Sequence, residues 1–259
     1  MAFVPDISTF LLMGRSIRLI EYVRSIVGII FFTLLFILVI PISFILVLFM
    51  GGRLGDLAVQ RFAPAIAIPV MKVIGIHYKR KYHGPRFTQP AMYIINHSST
   101  LDILTLMALG IPKLRYVAKW ELQYFPIFFI MGKLTGQVFI KRQNSEKAVS
   151  TLQKTYNHLK RNNRSVMIAP EGSRKHEGII GPFKKGAFRM AIDLGYPIVP
   201  IYFEGNNELS IGGSIMSKSG TLTTHFHPSI DTSNWSIETL DEHIEEVRDL
   251  YLKWAGVEG

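Results

Sequence analysis

The chain has 259 residues, room for one sizeable domain with an appendage, and it carries a formal net charge of +10 with no cysteine. The missing cysteine excludes disulfides, thiolate metal sites and a thiol nucleophile. Hydrophobic residues make up 48% of the chain, which turns the basic balance toward an anionic membrane face rather than toward nucleic acid.

Residues 1–24 read as a short amphipathic lead-in. From Ser25 through Gly52 no side chain is charged, and Ile, Leu, Phe and Val dominate. A helix needs about 20 apolar residues to cross a bilayer core, so 25–50 is expected to be a membrane helix; a buried soluble helix is the alternative. The run is too long for a signal peptide, and no small-residue cleavage site closes it. Pro41 is expected to kink or break it, so that it spans once or bends back. A break at Gly51-Gly52-Arg53 leads into 54–76, a second apolar segment kinked at Pro64 and Pro69. The two segments together predict a membrane-docking helical hairpin.

Beyond residue 77 the pattern changes. Alternating or short apolar runs predict strands at 77–82, 91–95, 115–118, 137–140, 165–169, 197–203 and 221–230. Helices are expected at 102–109, 145–162, 186–194 and 236–254, the first capped by Ser98, Ser99 or Thr100. The greasy stretch 124–131 fits an interfacial helix or a core helix equally. Strands alternating with helices predict an α/β class, a central mostly β sheet flanked by helices. The expected domains are an N-terminal membrane-associated helical segment, 1–76, and an α/β domain, 77–259.

Two polar clusters follow apolar strands. In the first, His97 stands five residues before Asp102. On one ideal helix they would lie about 140° apart, so they converge only if His97 precedes the helix and Asp102 sits in its first turn. Asp102 would then fix the imidazole tautomer and leave the other ring nitrogen as a general base. A capping Asp beside a structural His is the plainer reading of the same residues. In the second cluster, Pro170-Glu171-Gly172-Ser173-Arg174, the glycine permits close backbone approach and Arg174 offers a fork for a phosphate. An ordinary turn with a surface ion pair is its plainer reading. Lys119 and the pair Lys141-Arg142 close two further strands, with solvated charges as the alternative. Ligands in open α/β sheets sit at the carboxyl ends of strands, and here several strands end in cations or acid/base residues. The remaining histidines show no ligand spacing, and His225-Phe226-His227 could meet a metal only as a strand pair; no metal is expected. No G-x-S-x-G elbow is present, which disfavours a serine hydrolase.

Asn96-His97-(four residues)-Asp102, Phe139-Ile140-Lys141-Arg142, Pro170-Glu171-Gly172-Ser173-Arg174 and Ile198-Val199-Pro200-Ile201 stand in this order. The series resembles the four blocks of the glycerophospholipid acyltransferase family, most of all its 1-acylglycerol-3-phosphate (lysophosphatidic acid) acyltransferases. The similarity covers about residues 77 to 205, with Ser173 where Thr is commoner. Phe183-Lys184-Lys185-Gly186 also resembles a family segment. The resemblance implies transfer of a fatty acyl group from acyl-CoA or acyl carrier protein to the sn-2 hydroxyl of lysophosphatidic acid, giving phosphatidic acid, with no cofactor and no acyl-enzyme. His97 and Asp102 are then catalytic. Glu171, Gly172, Ser173, Arg174, Arg142 and Lys119 bind substrate. Backbone amides near His97 are the expected oxyanion donors. The resemblance also implies a membrane location: the bacterial inner membrane at its cytoplasmic face, or an equivalent cytosol-facing membrane. The alternatives are an acyltransferase for another lysolipid, such as lyso-ornithine lipid or a lysophospholipid, and a non-catalytic membrane-surface binding protein. The last would be expected to lose His97, Asp102, Glu171 or Arg174, and all four are present.

Overall fold

The structure is a computed structural model that describes residues 18–50, 52–125, 129–130, 132, 135–140, 146–173, 178–210 and 214–257. Seven strands form a single sheet: β1 (Ile76–Tyr82), β2 (Met92–Ile95), β3 (Leu114–Lys119), β4 (Val138–Ile140), β5 (Ser165–Ile168), β6 (Ile198–Glu204) and β7 (Gly220–Phe226). Their order across the sheet is β1-β7-β6-β2-β5-β3-β4. All neighbours are parallel except β6 and β7. The chain therefore has the α/β class that its sequence predicts.

Burial on both faces explains the composition of the central strands. Met92 and Ile94 of β2 join one buried cluster with Val166, Phe188, Tyr202 and Tyr251. Tyr93 and Ile95, alternating with them, join the opposite cluster with Leu114, Met167, Ile201 and Phe203. The first face is covered by three amphipathic helices, α5 (Glu146–Arg161), α6 (Lys185–Leu194) and α8 (Leu240–Trp254). The other face carries α4 (Asp102–Ala108) and α3 (Ala63–Val73), and one buried cluster joins Ala67, Met71 and Ile74 to Leu101, Ala108 and Leu222. A short helix, α7 (Asn206–Leu209), follows β6.

The N-terminal helix α1 runs Leu19–Met50 with Pro41 inside it. The expected break at Pro41 does not occur: proline removes one intrahelical bond, and the remaining ladder of a 32-residue helix continues past it. Its start is tied to the loop before β7. The Ser25 hydroxyl donates to the Glu21 carbonyl at 2.9 Å and accepts the Ser217 N–H at 3.1 Å, and Glu21 accepts the Ser219 N–H at 3.1 Å. Gly28 lets α1 close on α3, since a Cβ there would stand 2.1 Å from Ile74 Cγ2. Farther along, Leu34, Ile37 and Leu38 are each about 60% exposed. Residues Leu19–Val39 are long and apolar enough to cross a membrane, and the protein buries only 11% of that stretch.

The second segment does not simply kink at its prolines. Helix α2 (Gly52–Leu57) passes into a π turn at Ala58–Phe62 before α3 begins. Pro64 has no N–H for the carbonyl of Gln60, so the ladder loosens one turn ahead of it. Asp56 accepts from Arg115 at 2.7 Å and Arg164 at 3.2 Å, which ties this segment to β3 and to the entry of β5.

Two further boundaries differ from expectation. Strand β7 ends at Phe226, short of the expected residue 230, because Pro228 cannot donate to a ladder. Only Ile230 returns, as an isolated bridge to Ile198. Helix α8 begins at Leu240 and not at residue 236, because Ser236 and Thr239 bond each other in a preceding turn. Residues 120–124 form a 3-10 turn, and much of the greasy stretch 124–131 lies outside the described residues.

Candidate active site

Strands β2 to β6 run parallel, so their carboxyl ends share one edge of the sheet. That edge receives Asn96-His97 from β2, Pro170-Glu171-Gly172 from β5, Lys119 from β3 and Gly205-Asn206 from β6.

His97 precedes α4 and Asp102 is its first residue, the placement that lets the two side chains converge. His97 Nδ1 and Asp102 Oδ2 are 2.6 Å apart. Asp102 is fully buried, whereas the His97 side chain keeps 27% of its surface exposed. The same Oδ2 accepts the backbone N–H groups of Ser98 at 2.9 Å and Ser99 at 3.0 Å. Oδ1 accepts from Asn206 Nδ2, which also donates to Thr105 Oγ1 at 3.2 Å. With donors on every side, the carboxylate is an acceptor only. The shared proton therefore belongs to His97 Nδ1, which leaves Nε2 as the basic nitrogen of the ring. Of the expected hydroxyl caps, Ser99 engages the turn that leads into α4, and the carboxylate of Asp102 accepts the Ser99 N–H in return. Ser99 Oγ accepts the N–H of Leu101 at 2.9 Å.

Those bonds also engage three of the backbone amides near His97, the expected oxyanion donors. The N–H groups of Ser98 and Ser99 are spent on Asp102. The N–H of His97 is spent on Glu171 Oε1 at 2.8 Å.

Glu171 stands where the β2–β5 register continues, because Ile94 pairs with Ile168 and His97 lies three residues on, as Glu171 does. It is 4% exposed, and Oε2 accepts the N–H of Gly181 at 3.1 Å. Both carboxylate oxygens thus clamp backbone, one of them the backbone of His97. Gly172 follows at φ +68°, a conformation that favours glycine, and its N–H closes a turn onto Ala169. Ser173 is partly buried beside it, and Lys119 is exposed at the end of β3. Arg142 and Arg174 lie outside the described residues.

Two further residues hold the His97 strand end in place. Asn96 exchanges two bonds with the backbone of Phe203, at 2.7 and 3.1 Å. The buried Tyr251 hydroxyl donates to the Ile94 carbonyl at 2.9 Å and accepts the Ile201 N–H at 3.2 Å. Burial pushes the Tyr251 phenol well above its ordinary pKa. Asn206 is the residue that the sequence reading missed. Its signal is the same strand-end placement: Gly205, at φ +92° with a Cβ position 2.7 Å from the Thr221 carbonyl, turns the chain off β6 and delivers it.

A model of the Acyltransferase family matches residues 71–204, a span holding all of the predicted site residues. The 1-acyl-sn-glycerol-3-phosphate acyltransferase of Limnanthes douglasii is 28% identical over 79% of this chain and 71% of its own length. The enzyme of that name from Salmonella typhimurium is 32% identical over 62% of this chain and 64% of its own. That of Saccharomyces cerevisiae is 33% identical over 62% and 54%, so the chain spans little more than half of that relative's length. The crystal structure of the 1-acyl-sn-glycerophosphate (LPA) acyltransferase PlsC from Thermotoga maritima shares the fold, with a TM-score of 0.70 over 92% of this chain and 99% of that one, at 20% identity. The sheet edge built around His97 and Asp102 and the match over residues 71–204 agree: this chain belongs to the Acyltransferase family.

Proposed function

We propose that this acyltransferase transfers a fatty acyl group from acyl-CoA or acyl carrier protein to the sn-2 hydroxyl of 1-acylglycerol-3-phosphate at a membrane surface, giving phosphatidic acid. The observation that carries the reading is the His97–Asp102 pair: Nδ1 is 2.6 Å from a buried carboxylate, and the His97 side chain keeps 27% of its surface exposed. The names of the relatives supply the substrate.

In this mechanism His97 Nε2 takes the proton of the lipid hydroxyl as its oxygen attacks the thioester carbon. Asp102 stabilises the imidazolium that forms. The tetrahedral intermediate collapses with cleavage of the carbon–sulfur bond, and His97 returns the proton to the leaving thiolate. Water need not enter, and no covalent enzyme intermediate forms. Lys119, Gly172, Ser173, Arg142 and Arg174 are the residues we assign to the glycerophosphate, on the strength of their motifs. We assign Glu171 the positioning of His97: one of its oxygens accepts the His97 N–H and the other the Gly181 N–H. A carboxylate turned on a phosphate would in any case repel it. Helix α1 docks the enzyme, since its exposed apolar side chains need a non-aqueous surrounding, and the net charge of +10 favours an anionic, cytosol-facing leaflet.

The test is thiol release from oleoyl-CoA with lysophosphatidic acid, comparing the wild type with His97→Ala. Loss of about 10²–10⁴-fold in turnover is expected for a missing general base, with an unchanged circular dichroism spectrum. Equal turnover in the two proteins sinks the mechanism.

A further inference from the structure

Two strands across the sheet from the one that delivers His97, three histidines meet where β1 and β7 finish. Strand β7 runs antiparallel to β6, so its carboxyl end lies beside the start of β6: His225 pairs with Tyr202, and the His227 N–H donates to the Pro200 carbonyl at 3.0 Å. His225 and His227 are two residues apart on an extended chain and so share a face. Tyr82 pairs with Phe226, and the His83 N–H donates to the Phe226 carbonyl at 2.8 Å, so His83 comes level with His227 on the neighbouring strand. The backbone register thus brings together three imidazoles that sequence spacing alone leaves unconnected.

From this geometry we infer that His83, His225 and His227 form a binding site for a zinc-type divalent transition-metal ion. One ring nitrogen from each lies within 4.8 Å of the others, the only such group among the described residues. Imidazoles bind Zn²⁺ at about 2.0–2.1 Å in a tetrahedral arrangement, which places donor atoms about 3.3 Å apart. His83 Nε2 and His225 Nδ1 are 2.9 Å apart and need open only slightly to admit an ion. The His227 ring lies flat against His83 at 4.6 Å, so it must turn about its Cβ–Cγ bond, a torsion with broad minima. His227 has a reason to turn: its buried Nε2 has no hydrogen-bond partner.

A second, independent feature supports a metal rather than a mere stack of rings. The nitrogen of His225 that faces away from His83, Nε2, is 2.9 Å from Glu204 Oε2. A carboxylate on the outer nitrogen of a ligating histidine fixes the tautomer and raises its basicity, the usual outer contact of a metal-bound imidazole. Trp254 of α8 stacks on His227 at 3.5 Å and closes one side, while His83 is exposed and leaves the fourth position open to water. With no thiol in the chain and three nitrogen donors, the set suits Zn²⁺, Ni²⁺ or Cu²⁺ and not Ca²⁺ or Mg²⁺. The site pins the edge strand β1 to β7 and to α8.

The experiment is isothermal titration of the full-length, detergent-solubilised protein with Zn²⁺ after removal of metal by chelation, with Mg²⁺ as a control. Wild type is expected to bind one equivalent of Zn²⁺ and to melt at a higher temperature with it. His225→Ala and His83→Gln are each expected to lose at least tenfold in affinity and the thermal shift, and Glu204→Gln about tenfold or more. His83 is exposed at the sheet edge, so its variant tests the site even if His225→Ala fails to fold. Absence of saturable Zn²⁺ binding to the wild type, or stoichiometric binding that survives in folded His83→Gln with undiminished affinity, overturns the proposal.

Discussion

The carboxylate of Glu171 accepts the backbone N–H of His97 at 2.8 Å across the ends of two neighbouring parallel strands. The acidic residue of the second cluster is therefore joined to the base of the first, and the two clusters are one structure. Its second oxygen holds Gly181 at 3.1 Å, where Arg248 Nε donates to the Gly181 carbonyl at 3.1 Å. The clamp reaches from His97 to helix α8.

Glu171→Gln tests this assignment. An amide offers one carbonyl oxygen for two N–H groups, so one of them must face an NH₂. His97 shifts, and a small displacement of a reacting group costs up to about 10²-fold. We expect kcat to fall about 10- to 100-fold with KM for lysophosphatidic acid within about twofold, as a positioning role requires. A KM effect that dominates kcat would return Glu171 to the substrate.

Asp102→Asn keeps the shape of the side chain and removes one acceptor. Oδ2 now serves His97, Ser98 and Ser99, and Oδ1 serves Asn206. Whichever way the new amide turns, its NH₂ meets donors. A buried mismatch of this kind costs about 1–3 kcal/mol of stability, and the wrong imidazole tautomer costs about 10²–10⁴-fold in kcat. Urea unfolding and the thiol-release assay read the two effects separately. A variant as stable and as active as wild type would show that Asp102 merely caps α4.

The dyad was legible in the sequence because its spacing is local: five residues, with an apolar strand before and a helix after, leave few ways to arrange His97 and Asp102. The strands were legible for the same reason, since Met92–Ile95 and Ile198–Phe203 are apolar at every position and must be covered on both faces. What stayed hidden is long-range. A motif letter does not say which way a carboxylate points, so the bond from the His97 N–H to Glu171 shows only in the β2–β5 register. Asn206 lies 104 residues from Asp102, and no period in either segment announces their contact. The placement of β1 beside β7 is equally invisible, and with it the meeting of His83 and His227.

Membrane docking through α1 has its own test. Leu34 and Leu38 are 60% and 61% exposed, and they lie one turn apart on one face. A lysine at the centre of an apolar membrane helix costs about 2.5–3.5 kcal/mol. Leu34→Lys with Leu38→Lys is expected to move much of the protein from the membrane pellet to the supernatant or the aggregate after gentle lysis. Full retention in the membrane fraction, resistant to alkaline carbonate, would place the docking surface elsewhere.

Asn206 gives the sharpest test of the charge design, because two small changes there should differ widely. Its Nδ2 points at Asp102 Oδ1, and the site is fully buried. An amide oxygen in that place would repel the carboxylate, so the donor is the part that matters. Asn206→Ala removes the donor and leaves Asp102 with its bonds from His97, Ser98 and Ser99; a loss of about tenfold in kcat is expected, equivalent to the 1.4 kcal/mol of one buried bond. Asn206→Asp is nearly isosteric, yet it sets a second carboxylate against the first. Two acids in contact cannot both ionise, so the folded-state pKa of the introduced carboxyl rises above its unfolded value. Such a group favours the fold below the unfolded pKa, and that contribution is lost as pH rises through the folded pKa. The variant should therefore lose stability relative to wild type between about pH 4 and pH 8, and its kcat at neutral pH should fall well below that of Asn206→Ala. Equal kcat for the two variants, with no widening stability gap as pH rises, would mean that Asn206 only fills space behind the dyad.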